Sequence, residues 1–196
     1  MDTARNWMGV LLVVSLPPAL AYWYVAHPFA SFWRRLGARR ALTILLTGLA
    51  LGLWGMWLVR EWALGTDLGT NFALVGPAAL MYSISIVLET KIRKHLKLNT
   101  LVGLPEFSQA DKKGQVLSQG IYGRIRHPRY VTIVIGVFGW ALFVNYVGVY
   151  VLAILTVPGL YLVAVLEERE LLERFGDEYA RYSERVPRFV PRLGDR

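Results

Sequence analysis

Apolar residues in this chain come in long unbroken blocks, without the alternation of a half-buried strand or the one-sided stripe of a soluble helix. Five blocks carry no charge: Trp7 to Val25, Ala41 to Val59, Phe72 to Leu88, Val131 to Val144 and Val147 to Leu166. Crossing a hydrocarbon core of about 30 Å takes roughly 20 helical residues, so each block reads as a membrane span. The last two blocks form one uncharged run of 36 residues, from Val131 to Leu166. That is too long for a single span and a little short for two full ones. Turn-forming Asn145 and Gly148 near its middle predict a helical hairpin whose ends return to one membrane face. Pro17 and Pro18 should kink the first span. That span is read as retained and not as a signal peptide, because residues 1–6 lack a strongly basic leader and no small-residue cleavage site follows.

The expected fold is therefore an all-α integral membrane protein of about five transmembrane helices, with a C-terminal hairpin and a cytosolic amphipathic helix. Residues 1–98 form an N-terminal three-span region, and residues 99–196 comprise a connector, the hairpin and the C-terminal helix. Composition agrees: 55% of the 196 residues are hydrophobic, with seven Trp and ten Tyr, more apolar surface than a soluble domain of this size uses.

Charge orients the chain. Arg34, Arg35, Arg39 and Arg40 give +4 between the first two spans, and residues 89–130 carry nine Lys or Arg against three acidic residues. The loop of residues 60–71 is net −1, and the turn at Asn145 is uncharged. By the positive-inside rule the basic loops and the C-terminus face the cytoplasm and the N-terminus faces out. The net charge of +8 sits directly beside apolar spans, with Trp33, Trp57 and Trp62 at expected interfaces, so the expected partners are membrane lipids and not nucleic acid. Cysteine is absent, which removes disulfides and thiolate nucleophiles. His27, His95 and His127 do not form a spaced ligand set, and no metal is expected. Gly48, Gly52 and Gly55 put small residues on one side of the second span, a close-packing face.

Three segments carry candidate chemistry. In Arg126, His127, Pro128, Arg129 and Tyr130, the proline suits the first helical position. The fourth span should begin there, leaving first-turn N–H groups free for an acceptor-rich ligand. A basic interface anchor accounts for the same residues. Glu167 and Glu168 end the fifth span, where negative charge opposes the helix dipole unless cations meet it, and Arg124, Arg126 and Arg129 are expected on that face. A structural ion-pair cluster is the plainer account. Beyond them Leu171, Leu172, Phe175, Tyr179 and Tyr182 recur at helical spacing, which predicts an amphipathic helix ended by Pro187 and Pro191. Residues 114–120, bounded by Gly114 and Gly120, are a linker or a segment that wraps a ligand.

Together these pieces resemble the isoprenylcysteine carboxyl methyltransferase family and related integral-membrane methyltransferases. The likeness covers Gly114 to Pro191: a Gly-Ile-Tyr segment, Arg-His-Pro-x-Tyr at residues 126–130, an apolar hairpin, Glu-Glu with the Phe-Gly, Tyr and Tyr that follow at residues 167–182, and Val186 with Pro187. The resemblance implies an S-adenosylmethionine site at the cytosolic mouth of the hairpin. Gly114, Gln115, Val116 and Leu117 would wrap the cofactor. Tyr122, His127, Pro128, Arg129 and Tyr130 would line its pocket, and Glu167 would close it. The implied reaction is in-line methyl transfer to a lipophilic or small acceptor, which can proceed by alignment and exclusion of water without a protein nucleophile. Carboxyl-methylating members carry an Arg one turn before the Glu pair, whereas this chain has Val163, so a carboxylate acceptor is not expected. Sterol reductases share the C-terminal pattern but bind a nicotinamide cofactor, and they remain the alternative enzyme; a non-enzymatic membrane scaffold is the third reading.

Overall fold

The computed structural model describes residues 1–93 and 116–192. Among them the chain forms eight α-helices: α1 Asp2–Ala26, α2 Ala30–Leu36, α3 Ala38–Leu58, α4 Arg60–Leu64, α5 Phe72–Arg93, α6 Pro128–Val144, α7 Val147–Phe175 and α8 Asp177–Arg185. A 3-10 turn at Gly120–Gly123 precedes α6, and one isolated bridge joins Asp67 to Tyr146. The protein is an all-α integral membrane protein. Four helices, α1, α3, α5 and α7, are long and apolar enough to cross a bilayer.

The fourth expected span is the short one. Helix α6 has 17 residues, which reach about 26 Å at 1.5 Å per residue. Its ends are nonetheless fixed at opposite ends of the bundle. At one end the buried Arg5 guanidinium donates to the Val144 carbonyl (3.0 Å) and to Asp2, Thr70 and Asp67, and it lies over the Tyr146 ring. That knot gathers the start of α1, the α4–α5 loop and the α6–α7 turn. At the other end Arg34 of α2 pairs with Glu170 of α7 at 2.8 Å, close to where α1 ends and α6 begins. All five helices therefore run between the same two ends, with α6 packed mainly on α5 and α1 packed on α3, α6 and α7.

Local chemistry explains the boundaries. Pro128 occupies the first turn of α6 after His127, as its missing N–H and fixed φ dictate. Asn145 closes α6 in the left-handed region (φ 56°), its side chain held by the Gly69 carbonyl and the Tyr150 hydroxyl, so the hairpin turns where the sequence placed it. Gly148 lets α7 start hard against α4: a Cβ there would collide with the Ala63 and Leu64 carbonyls.

Helix α1 runs through Pro17 and Pro18 as one element. Two expectations change. On the glycine face of α3, a Cβ at Gly52 would press on Pro18 of α1, while one at Gly48 or Gly55 would meet nothing within 4 Å among the described residues. The face thus packs within the chain at a single point. The amphipathic helix after Glu168 is two elements: α7 runs on to Phe175, Gly176 breaks it at φ 55°, and α8 follows. A positive φ needs glycine's freedom, which ends α7 well before the prolines.

Candidate active site

The site lies at the end of the bundle where α7 emerges, and Glu168 is its anchor. One carboxylate receives Arg126 Nε (2.9 Å), Arg188 Nε (3.0 Å) and Nη2 (2.6 Å), and lies 2.9 Å from His127 Nε2. Two guanidinium groups and an imidazole thus converge on one largely buried carboxylate. Arg126 also donates to the Ser183 and Val186 carbonyls, capping the last turn of α8. The backbone N–H groups of Arg126 and His127 donate to the carbonyls of Pro187 and Arg188 at 2.9 and 3.0 Å. A strap of residues 186–189 is thus laid along the entrance to α6. Arg188 reaches the Tyr161 hydroxyl and lies over its ring, and Phe189 packs against His127 and Tyr161.

His127 links the two glutamates. Its Nδ1 stands 3.3 Å from Glu167 Oε2 while Nε2 faces Glu168, and the ring stacks on Tyr130 with centroids 5.3 Å apart. Ionised carboxylates only accept hydrogen bonds, so a carboxylate beside each ring nitrogen favours the doubly protonated imidazole. The physical balance agrees. Burial opposes charge on His127, but hydrogen bonds to Glu167 and Glu168 together with their negative charge outweigh it and raise its pKa above the ordinary histidine value. Its proton is held more tightly here than on a free imidazole.

Glu167 is placed differently. Tyr130 donates its hydroxyl to Oε2 at 2.7 Å, and His127 approaches the same oxygen. Among the described residues both contacts end on Oε2, and the side chain keeps 27% exposure against 13% for Glu168.

The other expected residues divide. Tyr122 is buried in the 3-10 turn, and its carbonyl accepts the Tyr182 hydroxyl at 2.7 Å. Burial pushes the Tyr182 hydroxyl up to about 12 and raises Tyr122 as well. Val116 packs against Tyr179 and Tyr182, and its N–H reaches Glu178 at 3.3 Å. Leu117 is half-buried beside it, Pro128 is buried, and Arg129 and Tyr130 are half-buried on the first turn of α6. Gly114 and Gln115 lie outside the described residues. Of the arginines expected to meet the glutamates, Arg126 does so, while Arg124 is exposed. Tyr179 is 3% exposed, and its hydroxyl has no hydrogen-bond partner among the described residues.

Sequence reasoning missed Arg188 and Phe189 of the strap, and also His27 and Glu170. Arg188 stood in a stretch read only as a helix terminator. The 4% exposed Glu170 could have been found, since it falls one turn after Glu167 on the same helical face. His27 had no local signal at all.

The sequence has known relatives. Over 71 residues the chain is 35% identical to Methanethiol S-methyltransferase 1 of Bradyrhizobium diazoefficiens, a match covering 36% of this chain and 24% of that protein. The chain thus spans about a quarter of the length of the curated relative it matches. No solved structure matches. The model of the phospholipid methyltransferase family matches residues 72–178, a stretch that runs from α5 through the Glu167 and Glu168 site to α8 and takes in more than half of the protein. With α5, the α6–α7 hairpin and its glutamate pair lying inside that stretch, the chain belongs to the phospholipid methyltransferase family of membrane methyltransferases.

Proposed function

We propose that this protein transfers a methyl group from S-adenosylmethionine to a small or lipophilic thiol or neutral amine, at the end of the bundle that faces the cytoplasm. The observation that carries the reading is the division of labour at the hairpin mouth. Glu168 meets Arg126, Arg188 and His127, whereas Glu167 meets the Tyr130 hydroxyl and His127, both on Oε2 beside an aromatic ring. Such a group fits a donor that is cationic at its sulfonium and ammonium centres. The unpartnered Tyr179 hydroxyl adds a hydrogen-bonding group beside Val116. Glu167, Tyr130, Tyr122 and residues 114–117 would hold the donor, and when bound it supplies an electrophilic methyl group. The chain's own part is to orient that group, balance its charge and keep water out.

The acceptor class follows from charge. Val163, one turn before Glu167, is fully buried and offers no cation. Arg126 and Arg188 are committed to Glu168. A carboxylate acceptor entering a partly desolvated site would lack its counter-charge. The methanethiol methyltransferase relative supports a thiol. Loop charge supports the cytoplasmic assignment.

A labelled-methyl transfer assay on purified protein in nanodiscs, run with alkanethiols, an aminophospholipid and a farnesylcysteine analogue, tests the reading. Transfer to thiol or amine is expected to exceed ester formation, and faster ester formation would overturn the acceptor class. Because the chain has no cysteine, single cysteines at Thr66 and Gly194 report topology directly. Opposite-side labelling is expected, and same-side labelling would remove the five-span arrangement.

A further inference from the structure

Between Asp2 and Glu61 the sequence has no acidic residue, yet Arg34, Arg35, Arg39 and Arg40 crowd the corner where α2 gives way to α3. Arg34 has a counter-charge in Glu170 of α7 at 2.8 Å, which fixes this corner at the same end of the bundle as the hairpin mouth. Arg39 and Arg40 are exposed, and among the described residues their side chains make no hydrogen bond or ion pair. Two cations are thus left without a counter-charge beside the membrane.

A groove of about 410 Å³ lies against them, lined by Leu36, Arg39, Arg40, Thr43 and Ile44. That volume falls within the roughly 300 to 1,000 Å³ of small-molecule sites. Arg39, Arg40, Thr43 and Ile44 share one face of α3, and Leu36 of α2 closes it because Gly37 turns the chain at φ 89°. The lining is cationic at the rim and apolar in the floor. Thr43 donates its hydroxyl to the Arg39 carbonyl at 3.0 Å, so its polar group is spent inside the helix and Leu36 and Ile44 set the character beneath it. The same face continues through Gly48, where an added Cβ would meet nothing within 4 Å among the described residues, to the exposed Leu51. From Arg40 to Leu51 the helix rises about 16 Å, close to half of a 30 Å hydrocarbon core.

We propose that this groove holds one anionic phospholipid, its phosphate against Arg39 and Arg40 and an acyl chain laid along Leu36, Ile44 and Gly48. Charge selects the headgroup: a zwitterionic lipid would bring its own ammonium to two guanidinium groups, whereas a net negative head supplies the missing counter-charge. Placement selects a lipid over an acidic peptide. Helix α3 is only 11% buried along its apolar window and packs chiefly on α1, so the floor opens to hydrocarbon and offers a peptide backbone no polar partner. Through Arg34 and Glu170 the lipid-bearing corner is tied to α7 one turn beyond Glu167.

Native mass spectrometry of the full chain tests this, with the protein released from micelles that contain phosphatidylglycerol and phosphatidylcholine in equal amounts and with the same acyl chains. Wild type is expected to retain one phosphatidylglycerol in preference to phosphatidylcholine. Arg39→Gln combined with Arg40→Gln should weaken that retention on the order of 10-fold, the scale set by two interfacial arginines. Arg181→Gln combined with Arg185→Gln removes the same charge from the exposed face of α8 and should leave it nearly unchanged. Thr43→Trp fills the floor while keeping both cations, and it should also release the lipid. Equal losses in the two double variants, or full retention in Thr43→Trp, would overturn the site. Competition by glycerophosphoglycerol, the headgroup without chains, would show an anion site only and overturn the assignment to a lipid. A wild-type dimer that carries no lipid and comes apart in the Arg39 and Arg40 variant would give the groove to a second copy of the chain instead.

Discussion

Replacing Glu168 with Gln is the perturbation whose effect the structure determines best. The change keeps shape and removes one charge from a carboxylate that holds Arg126, Arg188 and His127, at a side-chain exposure of 13%. Four contacts fall on its two oxygens, and charge-assisted hydrogen bonds contribute roughly 1.5 to 3 kcal/mol each. Their sum overstates the loss, because Arg126 keeps the Ser183 and Val186 carbonyls and Arg188 keeps Tyr161. Removing one partner of a buried ionic cluster costs about 3 to 5 kcal/mol, and the upper part of that range is discounted here for the residual exposure. The expectation is a loss of about 3 kcal/mol, near a hundred-fold in the unfolding equilibrium. Glu167→Gln leaves the Glu168 cluster whole and keeps an oxygen for the Tyr130 hydroxyl, so it gives up only the charge beside His127 and should cost about 1.5 kcal/mol, the lower end for a charge-assisted contact. Equilibrium unfolding in mixed micelles, read by tryptophan fluorescence, measures both variants. Equal stabilities for the two would refute the division between an anchoring and a ligand-facing glutamate.

The pH dependence has a definite sign. His127 binds its proton more tightly folded than unfolded, so its stabilising contribution is complete below the unfolded value of about 6.5 and is lost as pH rises through the raised folded value. Unfolding titrations from pH 6 upward should show stability falling in wild type and a shallower slope in His127→Gln. Gly148→Ala should destabilise by at least the roughly 1 to 3 kcal/mol typical of overpacking, since its Cβ meets the Ala63 and Leu64 backbone, whereas Gly55→Ala, with open space around it, should be neutral or slightly stabilising in the same assay. Arg5→Met removes the 1% exposed cation that joins α1, the α4–α5 loop and the α6–α7 turn. A loss of about 3 to 5 kcal/mol is expected on unfolding, and wild-type stability would show that the knot is dispensable.

What could be read from residues alone followed the range of the interactions involved. Charge-free blocks, the proline at the start of α6 and the turn at Asn145 are local signals, and all three lie where the pattern put them. The meeting of Arg126 and His127 with the glutamates followed from the hairpin topology, because uncharged helices of similar length must return the chain to the face it left. Which glutamate anchors and which stays exposed was not legible, since that depends on Arg188 folding back from beyond Pro187. Two neighbouring residues 100° apart on a helix look equivalent until such a partner arrives. His27 was beyond reach for a stronger reason. It lies far in sequence from Glu167, and only the packing of α1 against α7 brings it into the electrostatic field of the site.

Donor recognition at the hairpin mouth is the central claim, and equilibrium binding in detergent tests it most directly. Purified wild type, Glu167→Ala, His127→Ala and Glu184→Ala, the last on the exposed face of α8, are titrated with S-adenosylmethionine and separately with NADPH. Saturable binding of S-adenosylmethionine but not NADPH is predicted for wild type and Glu184→Ala, with the two site variants weakened by about 1 to 3 kcal/mol, the cost of losing a buried polar contact. NADPH binding in place of S-adenosylmethionine, or undiminished affinity in both site variants with folding intact, would contradict it.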